Sequence, residues 1–467
     1  MTNRRNFLKG MSAASFFAGT NLAFFAMSPS AMAADTTGYK ALVCVFLYGG
    51  MDCHDTILPY DQASYDRYAE IRAALLEDYA AAPGGSTRDR DALLPLTLAN
   101  AGDFGSRQFA LPPQFSAIHS LFQSGQAAII GNVGPLLAPL DAAGFEDEGT
   151  AKPKKLFSHN DQQSTWMAFE PEGAPFGWGG LFGDAAIASN ANDNDVFTAI
   201  TVAGNEVFLS GETARPYQIG VDGVQQIALI DEDAIQFPEE IDTLLRAHFE
   251  DAQTARSNLF QRDFVTESRR SLEANDVINA ALMGSPTNLT TAFPQSSLGQ
   301  QLRAVADTIN IRSALGAGRQ IFFVATGGFD THSGQAGALP NLQQDISDSI
   351  NAFYNATIEM GIANDVTTFT ASDFGRTLII NGDGTDHGWG AHHFAVGGAV
   401  NGGAVYGDIP PYDLGHSQDA GNGRLIPSVA VEQYAAAMGR WFGLTTDELN
   451  QAMPLLSQFP AGPLNFI

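Results

Sequence analysis

Four runs of apolar residues interrupt an otherwise mixed chain, at 41–48, 127–133, 320–326 and 366–371. None alternates with polar residues. Continuous apolar runs of this length predict strands buried on both faces, as in a mostly parallel sheet. Between them lie amphipathic stretches. Residues 61–82 are rich in Ala, Tyr and acids, and 111–122 opens with two prolines. Leu342, Ile346, Ile350, Phe353 and Ile358 recur near a 3.6-residue period, which predicts a helix over 342–361. Helices are also expected at 302–315 and 427–443. This alternation predicts an α/β fold, a mostly parallel sheet with helices on both faces.

The pattern weakens between about 185 and 310. Short strands are expected at 199–202 and 207–209, a long helical region at 242–283, and a Pro/Thr/Asn-rich linker at 285–297. This stretch reads as a cap or insertion over the sheet. Gly397-Gly398 and Gly402-Gly403 would bracket a short hairpin.

The first residues read as an address. Arg4-Arg5 precedes Phe7-Leu8-Lys9, a weakly apolar run follows from 11 to 27, and Ala31-Met32-Ala33 offers a small-residue cleavage site. This predicts a twin-arginine signal at 1–33, a partnership with the translocation machinery, and a periplasmic or secreted mature protein from 34 to 467. No other stretch is long and apolar enough to span a bilayer, so the mature protein is not expected to be integral to the membrane.

Charge narrows the partners. The formal net charge is −27 and the isoelectric point about 4.5. Such acidity disfavours nucleic acid and anionic membrane surfaces. The two cysteines, Cys44 and Cys53, do not make a disulfide framework, though an oxidising compartment leaves a bridge between them open.

Candidate chemistry collects after the strands. Four of the nine histidines fall between His332 and His393. Asp330-Thr331-His332 follows the 320–326 run, and Asp373 follows the 366–371 run. Gly49-Gly50-Met51-Asp52 follows the first. The carboxyl ends of parallel strands are where ligands bind in open α/β sheets. Asp386-His387 and His392-His393 add two more acid–imidazole or imidazole pairs. Carboxylates and imidazoles together suit Zn, Mn or Mg. Asp52 reads as a ligand, and Asp55 as the residue better suited to cap the next element. His392 and His393 should point to opposite sides, so that only one joins a site. Ser158-His159 could supply a nucleophile, a ligand or a substrate-binding group, or Ser158 could cap a helix. Arg376 could hold an anion bidentately or neutralise Asp373.

These motifs resemble a twin-arginine-exported bacterial family, domain of unknown function 1501, which groups with alkaline phosphatase-like and sulfatase-like hydrolases. The resemblance rests on Leu47-Tyr48-Gly49-Gly50-Met51-Asp52, Ser158-His159, Gly327-Gly328-Phe329-Asp330-Thr331-His332 and Ser372-Asp373-Phe374-Gly375-Arg376. It continues through Thr385-Asp386-His387-Gly388, Gly397-Gly398, Gly423-Arg424-Leu425-Ile426-Pro427 and Arg440-Trp441-Phe442-Gly443. Position 373 is Asp where the family usually has Glu. Carried over, the resemblance implies an alkaline phosphatase-like fold and up to two divalent ions. Asp52, Asp330, His332, Asp373, Asp386, His387 and His392 or His393 would hold them. Ser158, His159 and Arg376 would then act on an anionic ester, a small molecule or a polysaccharide.

Two functions follow as expectations. One is an exported two-metal hydrolase of phosphate or sulfate esters. The other is a non-catalytic metal-binding or cell-surface binding protein on the same fold. A redox enzyme finds no cofactor motif, since Gly327-Gly328 lacks the dinucleotide spacing.

Overall fold

The computed structural model describes residues 34–82, 87–221, 223, 244, 247, 258–284, 288–460 and 464–467. The expected signal at 1–33 and most of 222–257 lie outside them.

The four apolar runs become strands of one sheet. β1 is Lys40–Leu47, β2 Ala127–Gly134, β3 Ala199–Thr201, β4 Tyr217–Gln218, β5 Arg319–Thr326 and β6 Val366–Ser372. A separate two-stranded ribbon pairs β7 (Arg376–Ile380) with β8 (Thr385–His387). The main sheet is completed by β9 (Ala391–Val396), β10 (Val405–Gly407) and β11 (Val429–Ala430). Its order is β10-β2-β9-β6-β1-β5-β3-β4, with β11 also on β2. Every pairing is parallel except those of β9, which runs antiparallel to both β2 and β6.

Alternation along β1 shows why its pattern is unbroken. Ala41, Val43, Val45 and Leu47 enter one core, where Leu339, Ile346, Ile350 and Phe353 of the helix Gln335–Glu359 meet Leu298 and Leu302 of Ser297–Asn310. Leu42, Cys44 and Phe46 enter the other, against Phe182 of Trp178–Ala188 and Tyr434 and Met438 of Val431–Phe442. Both faces are covered, so neither can be polar. Cys44 and Cys53 are both buried, free thiols. Among the described residues, no helix is long and apolar enough to cross a membrane.

Register decides where the loops meet. Leu47 at the end of β1 pairs with Thr326 at the end of β5 and with Ser372 at the end of β6. The segments beginning at 48, 327 and 373 therefore leave the sheet side by side.

Several local expectations are corrected. Residues 207–209 form a 3-10 turn, not a strand. The helical stretch 61–82 breaks into Gln62–Ile71 and Ala73–Ala81 at Arg72, whose φ of −106° and ψ of 20° depart from the helix. The break accompanies the burial of the Arg72 side chain, which donates to Asp52 and to the Thr377 and Leu378 carbonyls. No hairpin joins β9 to β10, because β2 lies between them. Within the expected insertion, β3 and β4 belong to the main sheet and Ser297–Asn310 packs on its face.

Candidate metal centre

Asp330 lies in the segment after β5, and its position depends on Gly49 after β1. A Cβ on Gly49 would stand 2.3 Å from the Asp330 backbone nitrogen, and its φ is +114°. Only glycine permits both the conformation and the approach.

Three imidazoles face Asp330. The Asp330 Oδ1 is 3.1 Å from His332 Nε2 and 3.1 Å from His387 Nε2, and those two nitrogens are 2.8 Å apart. His159 Nε2 is 3.5 Å from the other oxygen, Oδ2. His159, Asp330 and His387 each offer an atom within 4.8 Å of the others. His159 opens the helix His159–Ala168, and His387 ends β8, beside β7. Three separate segments thus supply the cluster.

The far nitrogen of each ring is tied to an oxygen. His159 Nδ1 is 2.6 Å from Asp373 Oδ2, His332 Nδ1 3.1 Å from Asp386 Oδ1, and His387 Nδ1 2.8 Å from the Phe157 carbonyl. A carbonyl only accepts, so His387 donates from Nδ1, and its neutral ring keeps a lone pair on Nε2. The two carboxylates impose the same tautomer on His159 and His332. The Phe374 ring lies 4.8 Å from His159 and 4.6 Å from His387 and fixes their planes.

Asp373 and Asp386 therefore act through histidines. Asp373 is buried; its Oδ2 also accepts from Gln163 Nε2 at 2.8 Å and from the Gly49 N–H at 3.2 Å. Its Oδ1 is buried without a hydrogen-bond partner among the described residues. Asn381 Nδ2 donates to Asp386 at 2.6 Å.

The electrostatics hold Asp330 charged. Burial alone would raise its pKa, but the Arg376 hydrogen bond and charge, with His332 and His159, bring it below the usual carboxylate value. The Asp373 hydrogen bond raises His159 above the ordinary imidazole value, against the effect of burial. Burial lowers His387, opposed by its bond to Phe157.

Two neutral Nε2 lone pairs 2.8 Å apart repel unless a proton or a cation lies between them. Ligands at 2.0–2.1 Å around tetrahedral Zn are about 3.3 Å apart. The triangle of Asp330, His332 and His387 comes close to that, so these residues fit a small divalent cation. Imidazole-rich sites suit Zn better than Mn or Mg.

Other expected residues are engaged elsewhere. Asp52 is fully buried; its oxygens accept from Arg72 at 2.6 and 3.0 Å and from Gln335 at 2.7 Å. It is Asp52, not Asp55, that caps the short helix Cys53–Thr56, by accepting from the His54 N–H. Asp55 pairs with Arg88 at 2.8 Å. His392 accepts from the Asn132 N–H at 2.9 Å, and His393 packs on Trp166 and Tyr434. The two do point to opposite sides, but neither contact leads to Asp330. The Ser158 hydroxyl donates to Asp161 at 3.0 Å, so it neither faces the imidazoles nor caps a backbone N–H. Arg376 is fully buried, and its donors go to Asp330, the Gly49 carbonyl and Thr385. It neutralises Asp330, not Asp373, and its donors are committed within the protein.

Sequence reasoning missed Gln163, Phe157 and Arg72. Gln163 was accessible, since it lies one helical turn from His159 and shares its face. The Phe157 carbonyl carries no side-chain signal. Arg72 lies in the 61–82 stretch, where nothing in the local pattern marks one charge for burial.

The chain is thus an α/β protein with a carboxylate ringed by oriented imidazoles at the carboxyl edge of a mostly parallel sheet, a donor set that fits a small divalent cation. The chain belongs to DUF1501, a family described as proteins of unknown function, which it matches over residues 39–449. No curated protein matches it in sequence. Among solved structures it is similar to the PsFucS1 sulfatase from Pseudoalteromonas sp., at 12% identity and a TM-score of 0.32, covering 88% of this chain and 68% of that one. It is also similar to the C-terminal periplasmic domain of EcEptC from Escherichia coli, solved with Zn, at 10% identity and a TM-score of 0.31, covering 89% and 85%. A mutant of the alkaline phosphatase PafA aligns at 10% identity and a TM-score of 0.22, covering 73% and 64%. Likeness this low assigns no role to any residue here.

Proposed function

We propose that this chain is an exported, metal-dependent hydrolase of phosphate or sulfate esters that uses water as its nucleophile. One observation carries the reading: three imidazoles, each tied at Nδ1, turn Nε2 toward one carboxylate. His332, His387 and Asp330 would hold the ion, with His159 standing beside them on the other carboxylate oxygen. A bound divalent cation would polarise an ester oxygen and make water more acidic.

The chain's own residues supply the rest. Asp386 and the Phe157 carbonyl keep lone pairs on His332 and His387. Asp373 makes His159 more basic, so His159 can hold a proton at Nε2 and release it to a leaving alkoxide. Arg376 keeps Asp330 charged. Water is the nucleophile because Ser158 is bonded to Asp161 and, among the described residues, no hydroxyl or thiol hydrogen-bonds to Asp330 or to the three imidazoles. Export rests on Arg4-Arg5 and the small residues before Ala33.

That same lack of a hydroxyl favours a second reading, a non-catalytic metal-binding protein. Metal analysis of the purified mature protein, followed by a panel of aryl phosphates and sulfates, separates the two. Stoichiometric Zn or Mn with turnover supports the hydrolase. Bound metal without turnover across the panel selects the second reading, and absence of metal sinks both.

A further inference from the structure

The chain contains five lysines, at positions 9, 40, 152, 154 and 155. Three of the five crowd one turn of a protein whose net charge is −27. That turn leads directly into Phe157, whose carbonyl orients His387. Lys155 and Phe157 both have positive φ, 54° and 70°, which non-glycine residues rarely adopt.

Arg424 meets this turn from a distant part of the sequence. Its Nε donates to the His387 carbonyl at 2.9 Å, and its guanidinium lies 5.2 Å over the Phe157 ring. Its Nη1 donates to the Gly421 carbonyl at 3.2 Å. Its Nη2 has no recorded partner among the described residues. The loop beneath it is anchored, since His54 Nε2 lies 2.9 Å from the Gly423 carbonyl and Asp419 accepts the Gly423 N–H at 2.9 Å. Arg424 is therefore held in place on the backbone of a candidate ligand, with donors to spare. Arg376, by contrast, has committed its donors to the protein.

The lysines divide. Lys152 donates to the Asp147 carbonyl at 2.7 Å, as expected of a solvated loop balancing Glu146, Asp147 and Glu148. Lys155 pairs with Asp161 at 3.1 Å but stays 67% exposed. Lys154 is exposed, with no recorded partner among the described residues.

We propose that Arg424, assisted by Lys154 and Lys155, is the anion subsite of this centre and receives the non-bridging oxygens of a phosphate or sulfate group. A guanidinium stacked on an aromatic ring and bonded at Nε offers a fixed fork to such oxygens. Exposed lysines beside it counter the repulsion that a strongly acidic protein exerts on an anion. The assignment deepens the hydrolase reading and rests on it for the identity of the ester, though anion binding itself needs no turnover.

The test is calorimetric titration of the mature, zinc-loaded protein with inorganic phosphate and, separately, inorganic sulfate. Arg424→Gln should weaken binding about ten- to a hundredfold at unchanged zinc content, and Arg424→Lys should recover part of it. Lys154→Gln, on an exposed side chain that does not threaten folding, should weaken binding about two- to threefold and flatten its salt dependence. Tighter binding of phosphate than sulfate, or the reverse, names the ester. Equal affinity in the wild type and in Arg424→Gln overturns the subsite, as does a zinc-replete wild type that binds neither anion. Failure of the wild type to take up zinc counts against the metal centre instead. The same titration on metal-free protein then still reads Arg424.

Discussion

Two aspartates leave adjacent strands at the same edge of the sheet and meet opposite fates. Asp52 follows β1 and Asp330 follows β5, and the register between those strands sets them on one side of the molecule. Asp52 is sealed. Arg72 grips both its oxygens, Gln335 and the His54 N–H take what remains, and water is excluded. Burial alone would raise its pKa, but Arg72 outweighs burial and holds the carboxyl below the usual value. Asp330 also meets an arginine, yet 44% of its side chain is exposed and its other neighbours are imidazole nitrogens with lone pairs. A carboxylate whose acceptor capacity is filled by donors is architecture. One surrounded by other acceptors invites a proton or a metal ion. The difference lies in the partners and not in the aspartate.

The largest test of this contrast is Asp52→Asn. It strands a buried guanidinium and should cost about 3–5 kcal/mol in denaturant unfolding, with metal content per folded molecule unchanged. Asp330→Asn should remove metal binding at a smaller cost, about 1–3 kcal/mol, because the buried Arg376 loses a charged partner but keeps the Gly49 and Thr385 carbonyls. If both variants lose stability equally, the distinction between them fails.

A third buried acid extends the comparison. Glu432 is 3% exposed, one of its oxygens has no hydrogen-bond partner among the described residues, and burial raises its pKa to about 7. Unlike Asp52 it pairs with no arginine among the described residues. Its folded pKa lies above the ordinary value of 4.5, so between the two the folded state binds more protons than the unfolded state. Stability from this group is complete below about pH 4.5 and is lost as pH rises through 7. Glu432→Gln should therefore flatten the stability profile over that range and leave the variant more stable than wild type at alkaline pH, by roughly 3 kcal/mol at most. A profile identical to wild type would show Glu432 ionised and solvated.

Asp386→Asn probes the support of a ligand and not the ligand itself. Loss of the carboxylate behind His332 should weaken metal binding about 10- to 100-fold, read by chelator competition. Affinity unchanged to within twofold would mean that His332 is not a ligand.

The smallest effect is expected of Ser158→Ala. Its hydroxyl bonds to Asp161 at the start of a helix, so removal should cost about 1 kcal/mol or less and leave ester hydrolysis intact. Abolished turnover with intact metal would restore serine as the nucleophile.

Much of this protein was written locally. Unbroken apolar runs identified the central strands, because a strand covered on both faces has no position where a polar residue is cheaper. The segments carrying Asp330, His332, Asp386 and His387 were legible as acid–imidazole pairs, the first after a strand and the second in a glycine-rich stretch that the structure folds into β8. What local sequence could not carry was partnership. Asp52 and Asp330 look alike in the chain, each in a glycine-rich turn after a strand. Arg72 closes the first because a helix breaks and buries that arginine, and three histidines open the second because three distant segments converge. Ser158 and His159 are adjacent, yet the first turn of their helix directs only the imidazole to the centre. His392 and His393 alternate along β9 as any strand residues do, and the sheet's own packing consumed both sides. Periodicity is set by short-range geometry and survives in the sequence. The choice of donor for each acceptor is made across the fold, between residues tens to hundreds of positions apart, and only the tertiary structure records it.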